Sequence, residues 1–298
     1  MFGKMIAKNL VMAGEAAPLF DNPSNYNLQY ENVSFQASDG VNLKGWLIKG
    51  DDDKVIIQSH FGLYCCRAGY TNDIKRIAKG YPTDVKFLRQ AKYLNDAGYS
   101  VLMFDMRNHG ESDPAMDGFA SYGPEEAKDI IASVDFISNH SVYKNANIGL
   151  FSICMGQGAS VSAYGREDGL KNYSNIKCMI SVQPLDYAHF IDKMKLPGFL
   201  LKRADRFIKK NTDFDYINNT WRPYVKDVTV PTLIIQNKND GFLDKDFVDG
   251  VYNDLQVEKE MMWIEIPDKK NQGFNRMAAY DWLGTHSEPV LKWFNKYM

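Results

Sequence analysis

The run Ile148-Gly149-Leu150-Phe151-Ser152-Ile153-Cys154-Met155-Gly156-Gln157-Gly158 changes character halfway along. Its first part is apolar and strand-like, its last part suits a helix, and a reactive side chain, Cys154, stands at the break. Small residues flank it two positions to either side, Ser152 and Gly156. This is the pattern of a nucleophile elbow, a strand-to-helix turn so tight that its flanking residues must be small. The usual form is G-x-S-x-G; here Ser152 replaces the first glycine and Cys154 the serine. The helix N-terminus beneath the turn favours negative charge, which suits a thiolate and the oxyanion it would generate. Taken alone, the same pattern also describes a cysteine packed as a small buried hydrophobe. The rest of the chain decides between the two.

Working outward, strand and helix signals alternate. Asn32–Ala37 and Asn42–Ile48 are β-prone runs joined by Ser38-Asp39-Gly40-Val41, a hairpin signal. Val55–His60 and Tyr99–Asp105 read as buried strands, with helical spacing over Thr83–Asp96 between them and a second helix over Glu125–Ser138. Ile176–Val182, Thr232–Gln236 and Met261–Ile266 are further strands, and a helix from Ser287 to Tyr297 ends the chain. Such alternation predicts a mostly parallel sheet with helices on both faces, whose reactive residues lie just past the carboxyl ends of strands. Residues 186–227 carry no strand signal and are expected to form a lid insertion. Residues 1–28 are expected to be a helical extension of a single domain spanning 1–298.

Composition sets bounds on function. With 298 residues, 45% hydrophobic and 24% charged, the chain is ordinary globular material. A net charge of −2 gives no reason to expect nucleic acid or an anionic membrane as partner. The apolar run at Met5–Ala13 is broken by Lys8 and Asn9, too short and too polar for a transmembrane helix. Cys65, Cys66, Cys154 and Cys178 show neither metal-ligand spacing nor a disulfide framework, so a reducing cytoplasm is expected, with no metal and no organic cofactor.

These features together resemble the α/β-hydrolase superfamily from about Asn32 to Met298. The resemblance is carried by the Ser38-Asp39-Gly40 hairpin, the loop after Val55–Ser59, the elbow, and Val230-Pro231-Thr232 leading to Asp240. It is carried too by the segment Asp105-Met106-Arg107-Asn108-His109-Gly110-Glu111-Ser112. A cysteine in the elbow, with Gln58-Ser59-His60-Phe61-Gly62, is similar to dienelactone hydrolases. The resemblance implies an eight-stranded, mostly parallel sheet with an antiparallel N-terminal hairpin, helices on both faces and a helical lid. It also implies a structural role for His109.

The superfamily's order of nucleophile, acid, histidine assigns Cys154, then Asp240 in Asn237-Lys238-Asn239-Asp240-Gly241, with Asp244 and Asp246 as helix-start residues. The histidine would fall near Lys269–Phe274, where the sequence has none. His286 is the downstream candidate, His189 the reserve; His60 lies near the oxyanion loop, and His140 reads as an exposed helix-end residue. Backbone N–H groups of Met155 and of the His60-Phe61 region would form the oxyanion hole. The expected function is hydrolysis of a carboxylic ester, lactone or thioester through a Cys154 acyl-enzyme, its partner a small-molecule acyl substrate. The alternatives are an acyltransferase, or a degenerate hydrolase fold that binds without catalysis. Self-association into a homo-oligomer stays open.

Overall fold

Alternating burial along the first strand and at the start of the second builds the hairpin that the sequence signals. β1 (Tyr30–Gln36) and β2 (Asn42–Ile48) pair antiparallel with Phe35 opposite Leu43, and Gly40 takes a φ of 86° in the turn between them. The computed structural model describes residues 2–11, 17–62, 64–73, 81–212, 214–216, 218–267 and 275–298. After the hairpin come β3 (Lys54–Ser59), a short ladder of β4 (Gly69–Tyr70) with β5 (Val85–Lys86), and β6 (Ser100–Phe104). β7 (Asn147–Ile153), β8 (Ile176–Val182), β9 (Thr232–Asn237) and β10 (Lys259–Ile264) complete the set. The main sheet has eight strands in the order β1-β2-β6-β3-β7-β8-β9-β10. β2 is antiparallel to both of its neighbours, and from β6 to β10 every pairing is parallel.

The central strands are apolar on both faces, as a parallel sheet covered on both sides requires. On one face Ile57, Leu150, Met179 and Ile234 pack beneath α3 (Ala127–Ser138), α4 (Met155–Gly165) and α7 (Lys245–Asp254). On the other, Ile56, Phe151, Ile180 and Ile235 pack beneath α2 (Leu88–Asp96), α8 (Arg276–Leu283) and α9 (Glu288–Tyr297). Each such aliphatic side chain, fully buried, stabilises the fold by roughly 1.5–3 kcal/mol relative to exposure. The helix expected over Thr83–Asp96 starts only at Leu88, because Val85–Lys86 pair with Gly69–Tyr70 instead.

A third apolar cluster joins the two peripheral parts. α1 (Phe2–Val11) sets Ala7, Leu10 and Val11 against Phe119, Tyr122, and Ala204 and Ile208 of α6 (Gly198–Asn211). α6 and α5 (Tyr187–Met194) belong to the 186–227 insertion, which is helical as read, ending in a 3₁₀ turn at Arg222–Asp227. Residues 12–16, within the expected N-terminal extension, lie outside the described residues. No helix among the described residues is long and apolar enough to cross a membrane.

Candidate active site

The elbow forms where the sequence places it. β7 ends at Ile153, α4 begins at Met155, and Cys154 between them holds φ 52° and ψ −103°. A non-glycine residue in that conformation costs on the order of 1–3 kcal/mol, which its surroundings must offset. They do so by close packing. A Cβ on Gly156 would lie 2.8 Å from that of Ser59, and Ser152 uses its hydroxyl to reach Ser160 at 2.8 Å on the first turns of α4. The Cys154 N–H donates to the Val182 carbonyl at 2.9 Å, fixing the turn to β8.

Asp240 sits just past β9, buried, as the element order predicts. One carboxylate oxygen accepts the Phe242 N–H at 2.9 Å; the other accepts from Gln236 at 3.3 Å and from Arg276. Arg276 opens α8 and is itself buried. Its guanidinium donates through Nη1 to Asp240, through Nη2 to the Gln183 carbonyl, and through Nε to the Tyr280 hydroxyl at 2.9 Å. Gln183, at φ 50° past the end of β8, returns a bond from its side chain to the Arg276 carbonyl at 2.8 Å. The side chains of both Arg276 and Tyr280 lie within electrostatic reach of the Cys154 sulfur. The two lie four residues apart on one helix face, which is why both reach the sulfur.

The charge states follow from these contacts. Burial disfavours the Arg276 cation, but the charges of Asp240, Tyr280 and Cys154 outweigh it and hold the guanidinium protonated above its usual range. Burial raises the Tyr280 phenol well above its usual range; Arg276 opposes that shift, while Cys154 and Asp240 add to it. Tyr280 therefore keeps its proton and donates. Gln90 on α2 holds the Tyr280 carbonyl at 3.0 Å, and Phe61 stacks on its ring with centroids 4.9 Å apart.

The expected histidine is not part of this cluster, and the Cys-Asp-His assignment is corrected here. His286 is exposed, stacked on Trp282 at 4.0 Å, with Nδ1 near the Trp282 carbonyl at 2.9 Å and the Thr285 hydroxyl at 3.0 Å. The physical reason is α8: residues 276–283 coil into a helix that carries Arg276 inward and leaves His286 beyond its far end. Residues 268–274, where the resemblance expects the histidine, lie outside the described residues. His189 pairs with Asp186 at 2.7 Å and packs on Phe247. His140 is half-buried between Phe136 and Tyr143. His109 is buried against His60, its Nδ1 donating to the Arg107 carbonyl at 2.8 Å, and Arg107 is bound by Asp129 and Asp39.

His60 is a structural ring. Nε2 accepts the Met106 N–H at 3.0 Å, which fixes the proton on Nδ1, and Nδ1 donates to the Phe61 carbonyl at 2.7 Å. Burial lowers its pKa to about 4. Its carbonyl accepts the Gly156 N–H at 3.1 Å, tying the β3 loop to the start of α4. That places Phe61 beside the helix end where the first-turn N–H groups, Met155 among them, have no intrahelical acceptor. Beyond Cys154, Tyr122 is buried within electrostatic reach of the sulfur. Tyr122 packs on Tyr187 at 5.3 Å and Phe190 at 5.6 Å, and Phe190 stacks on Phe242 at 5.4 Å. The insertion thus bridges the Tyr122 loop and the Asp240 loop.

Sequence reasoning missed Arg276 and Tyr280 because it looked for an imidazole. The available signal was Arg276-Met277-Ala278-Ala279-Tyr280, an i, i+4 polar pair on an otherwise apolar helix that follows the stretch lacking a histidine.

A model of the α/β-hydrolase fold matches residues 77–213. Among solved structures, the esterase Pf2001 of Pyrococcus furiosus is similar over 91% of this chain and 95% of its own, at 20% identity and a TM-score of 0.63. The α/β hydrolase GrgF of Penicillium sp. sh18 is similar over 90% and 97%, at 14% identity and 0.58. A dienelactone hydrolase of Anabaena variabilis is similar over 91% and 99%, at 16% identity and 0.50. No curated protein sequence matches the chain. At these identities the likeness is one of fold: the chain has the α/β-hydrolase fold.

Proposed function

We propose that this chain is an acyl-cleaving enzyme in which Cys154 attacks an ester, lactone or thioester carbonyl and carries the acyl group as a thioester. The observation behind the reading is the Cys154 sulfur, held at a strained strand-to-helix turn within electrostatic reach of a buried arginine and a buried tyrosine. Strain of this kind persists where chemistry requires it, which weighs against a purely binding role. Arg276 and Tyr280 set a cation and a phenol near the attacking sulfur, Asp240 holds Arg276 in place, and the Met155 and Phe61 N–H groups take the oxyanion. This set replaces the Cys-Asp-His triad. A free thiol nucleophile fits a reducing compartment. Tyr122, Tyr187, Phe190 and Phe242 form an aromatic wall suited to an apolar acyl chain, with the 186–227 insertion as its lid.

The test is acyl release from p-nitrophenyl and thioester probes by wild type, Cys154→Ala, Arg276→Met and His286→Ala. The first two variants should lose activity and His286→Ala should keep it. Activity retained by Cys154→Ala would end the proposal.

A further inference from the structure

We propose that the outer face of the 186–227 insertion, with α1 beside it, docks on an anionic lipid bilayer, independently of the chemistry at Cys154. The chain's net charge of −2 averages over charge that is unevenly spread. Between Lys193 and Asn211 the sequence carries seven lysines and arginines against one carboxylate, Asp205. α1 adds Lys4 and Lys8 and no acidic residue. α6 buries Ala204 and Ile208 in the cluster it shares with α1, while Lys202, Arg203, Arg206, Lys209 and Lys210 stay exposed. Phe199, Arg203, Arg206 and Lys210 recur at steps of four, three and four, which lines them up along one side of the helix. Asp205 engages Lys209 at 3.2 Å; the other four cations of α6 pair with no carboxylate among the described residues.

The apolar component points to a bilayer and not to a soluble polyanion. Five large apolar side chains are exposed among the described residues, and three of them, Met5, Met194 and Phe199, belong to α1, α5 and α6. Phe199 is 61% exposed, and the Arg203 guanidinium lies 5.9 Å from the centre of its ring. A ring that leaves water at the boundary of headgroups and acyl chains, with arginines and lysines among the headgroups, is how peripheral helices hold anionic membranes. A nucleic acid would engage the cations and leave the ring in water. On its inner side the same insertion sets Tyr187 and Phe190 against Tyr122. The basic face and the aromatic cluster are thus two sides of one insertion, and docking holds that end of the molecule at the phase where apolar acyl compounds collect.

The test is co-sedimentation of the full chain with vesicles of phosphatidylcholine, alone or with about one-third phosphatidylserine. The protein should pellet with the mixed vesicles and stay in solution with the neutral ones. Raising salt from about 0.1 M to about 1 M, which shortens the Debye length from roughly 10 Å to roughly 3 Å, should release it. Each basic side chain at such a surface contributes roughly fivefold, so Arg203→Gln/Arg206→Gln/Lys210→Gln should weaken binding about a hundredfold. Lys144→Gln/Lys171→Gln/Lys292→Gln removes the same charge from exposed positions outside the insertion and α1, and should bind like wild type. Phe199→Ser should weaken binding roughly tenfold, the scale of returning a phenylalanine to water. Every substituted side chain is exposed, so the variants should keep the wild-type unfolding midpoint. Equal binding to neutral vesicles, equal losses in the two triple variants, or no sedimentation with either vesicle would overturn the proposal. Wild-type affinity in Phe199→Ser, with the α6 triple variant still weakened, would overturn it in favour of a soluble polyanion.

Discussion

One guanidinium, that of Arg276, meets a carboxylate, a backbone carbonyl and a phenol, within electrostatic reach of the nucleophile's sulfur. Replacing it with methionine keeps the volume and removes the charge. The buried Asp240 is then left unpaired, a loss of roughly 3–5 kcal/mol by analogy with broken buried ion pairs. Urea unfolding should show that loss, and iodoacetamide should alkylate Cys154 more slowly in the variant. Tyr280→Phe separates chemistry from stability, because the ring still stacks on Phe61. Losing a phenol donor beside the developing charge, on the scale of a hydrogen bond to a charged group at about 1.5–3 kcal/mol, should slow acyl-enzyme formation by roughly ten- to a hundred-fold. Its unfolding midpoint should move little. His286→Ala should change neither rate nor midpoint, since the side chain is exposed and, among the described residues, its hydrogen bonds and ring stacking go to Trp282 and Thr285.

Among the elements, α4 is packed closely against its neighbours. A Cβ on Gly158 would come within 2.7 Å of the Trp221 ring and 2.9 Å of the Tyr122 carbonyl, with no flexible side-chain end to yield. Gly158→Ala should therefore cost about 1–3 kcal/mol as an overpacked contact, read as a lower unfolding midpoint. The small residues around Cys154 were legible in the sequence because this packing dictates them. So were the hairpin, the strands and Asp240, whose periodicity and spacing record local physics. The start of α8 was not legible. Nothing local in the sequence distinguishes Arg276 turned inward from an arginine in solvent. Only the meeting of Gln183, Asp240 and Tyr280, far apart in sequence, makes it the group facing the sulfur. The β4–β5 ladder, two residues per strand, was equally beyond any periodicity.

For the molecule as a whole, pH reports on the paired rings between β3 and β6. Burial pushes both His60 and His109 down to about 4. The unfolded chain takes up protons there from about 6.5, the folded chain only near 4, so the stability these rings contribute is present above pH 6.5 and lost as pH falls toward 4. Burial pushes the Asp129 carboxyl up to about 6 and raises Asp105 as well, and these act in the opposite sense. Comparing wild type with His109→Gln removes what the two proteins share. The stability gap between them should shrink by about 2 kcal/mol from pH 7 to pH 5; a constant gap would contradict the assignment. The reciprocal bonds between Gln183 and Arg276 also limit which side chain can stand at this position. They fix the starting point of α8 to the end of β8 at the distance an arginine spans. Imidazole is a shorter arm, so Arg276→His would leave Asp240 and the Gln183 carbonyl unanswered unless the helix also moved. A histidine could therefore not take over this place by one substitution, because the single variant would carry a buried, unpaired carboxylate. The backbone is cut to the length of the longer side chain.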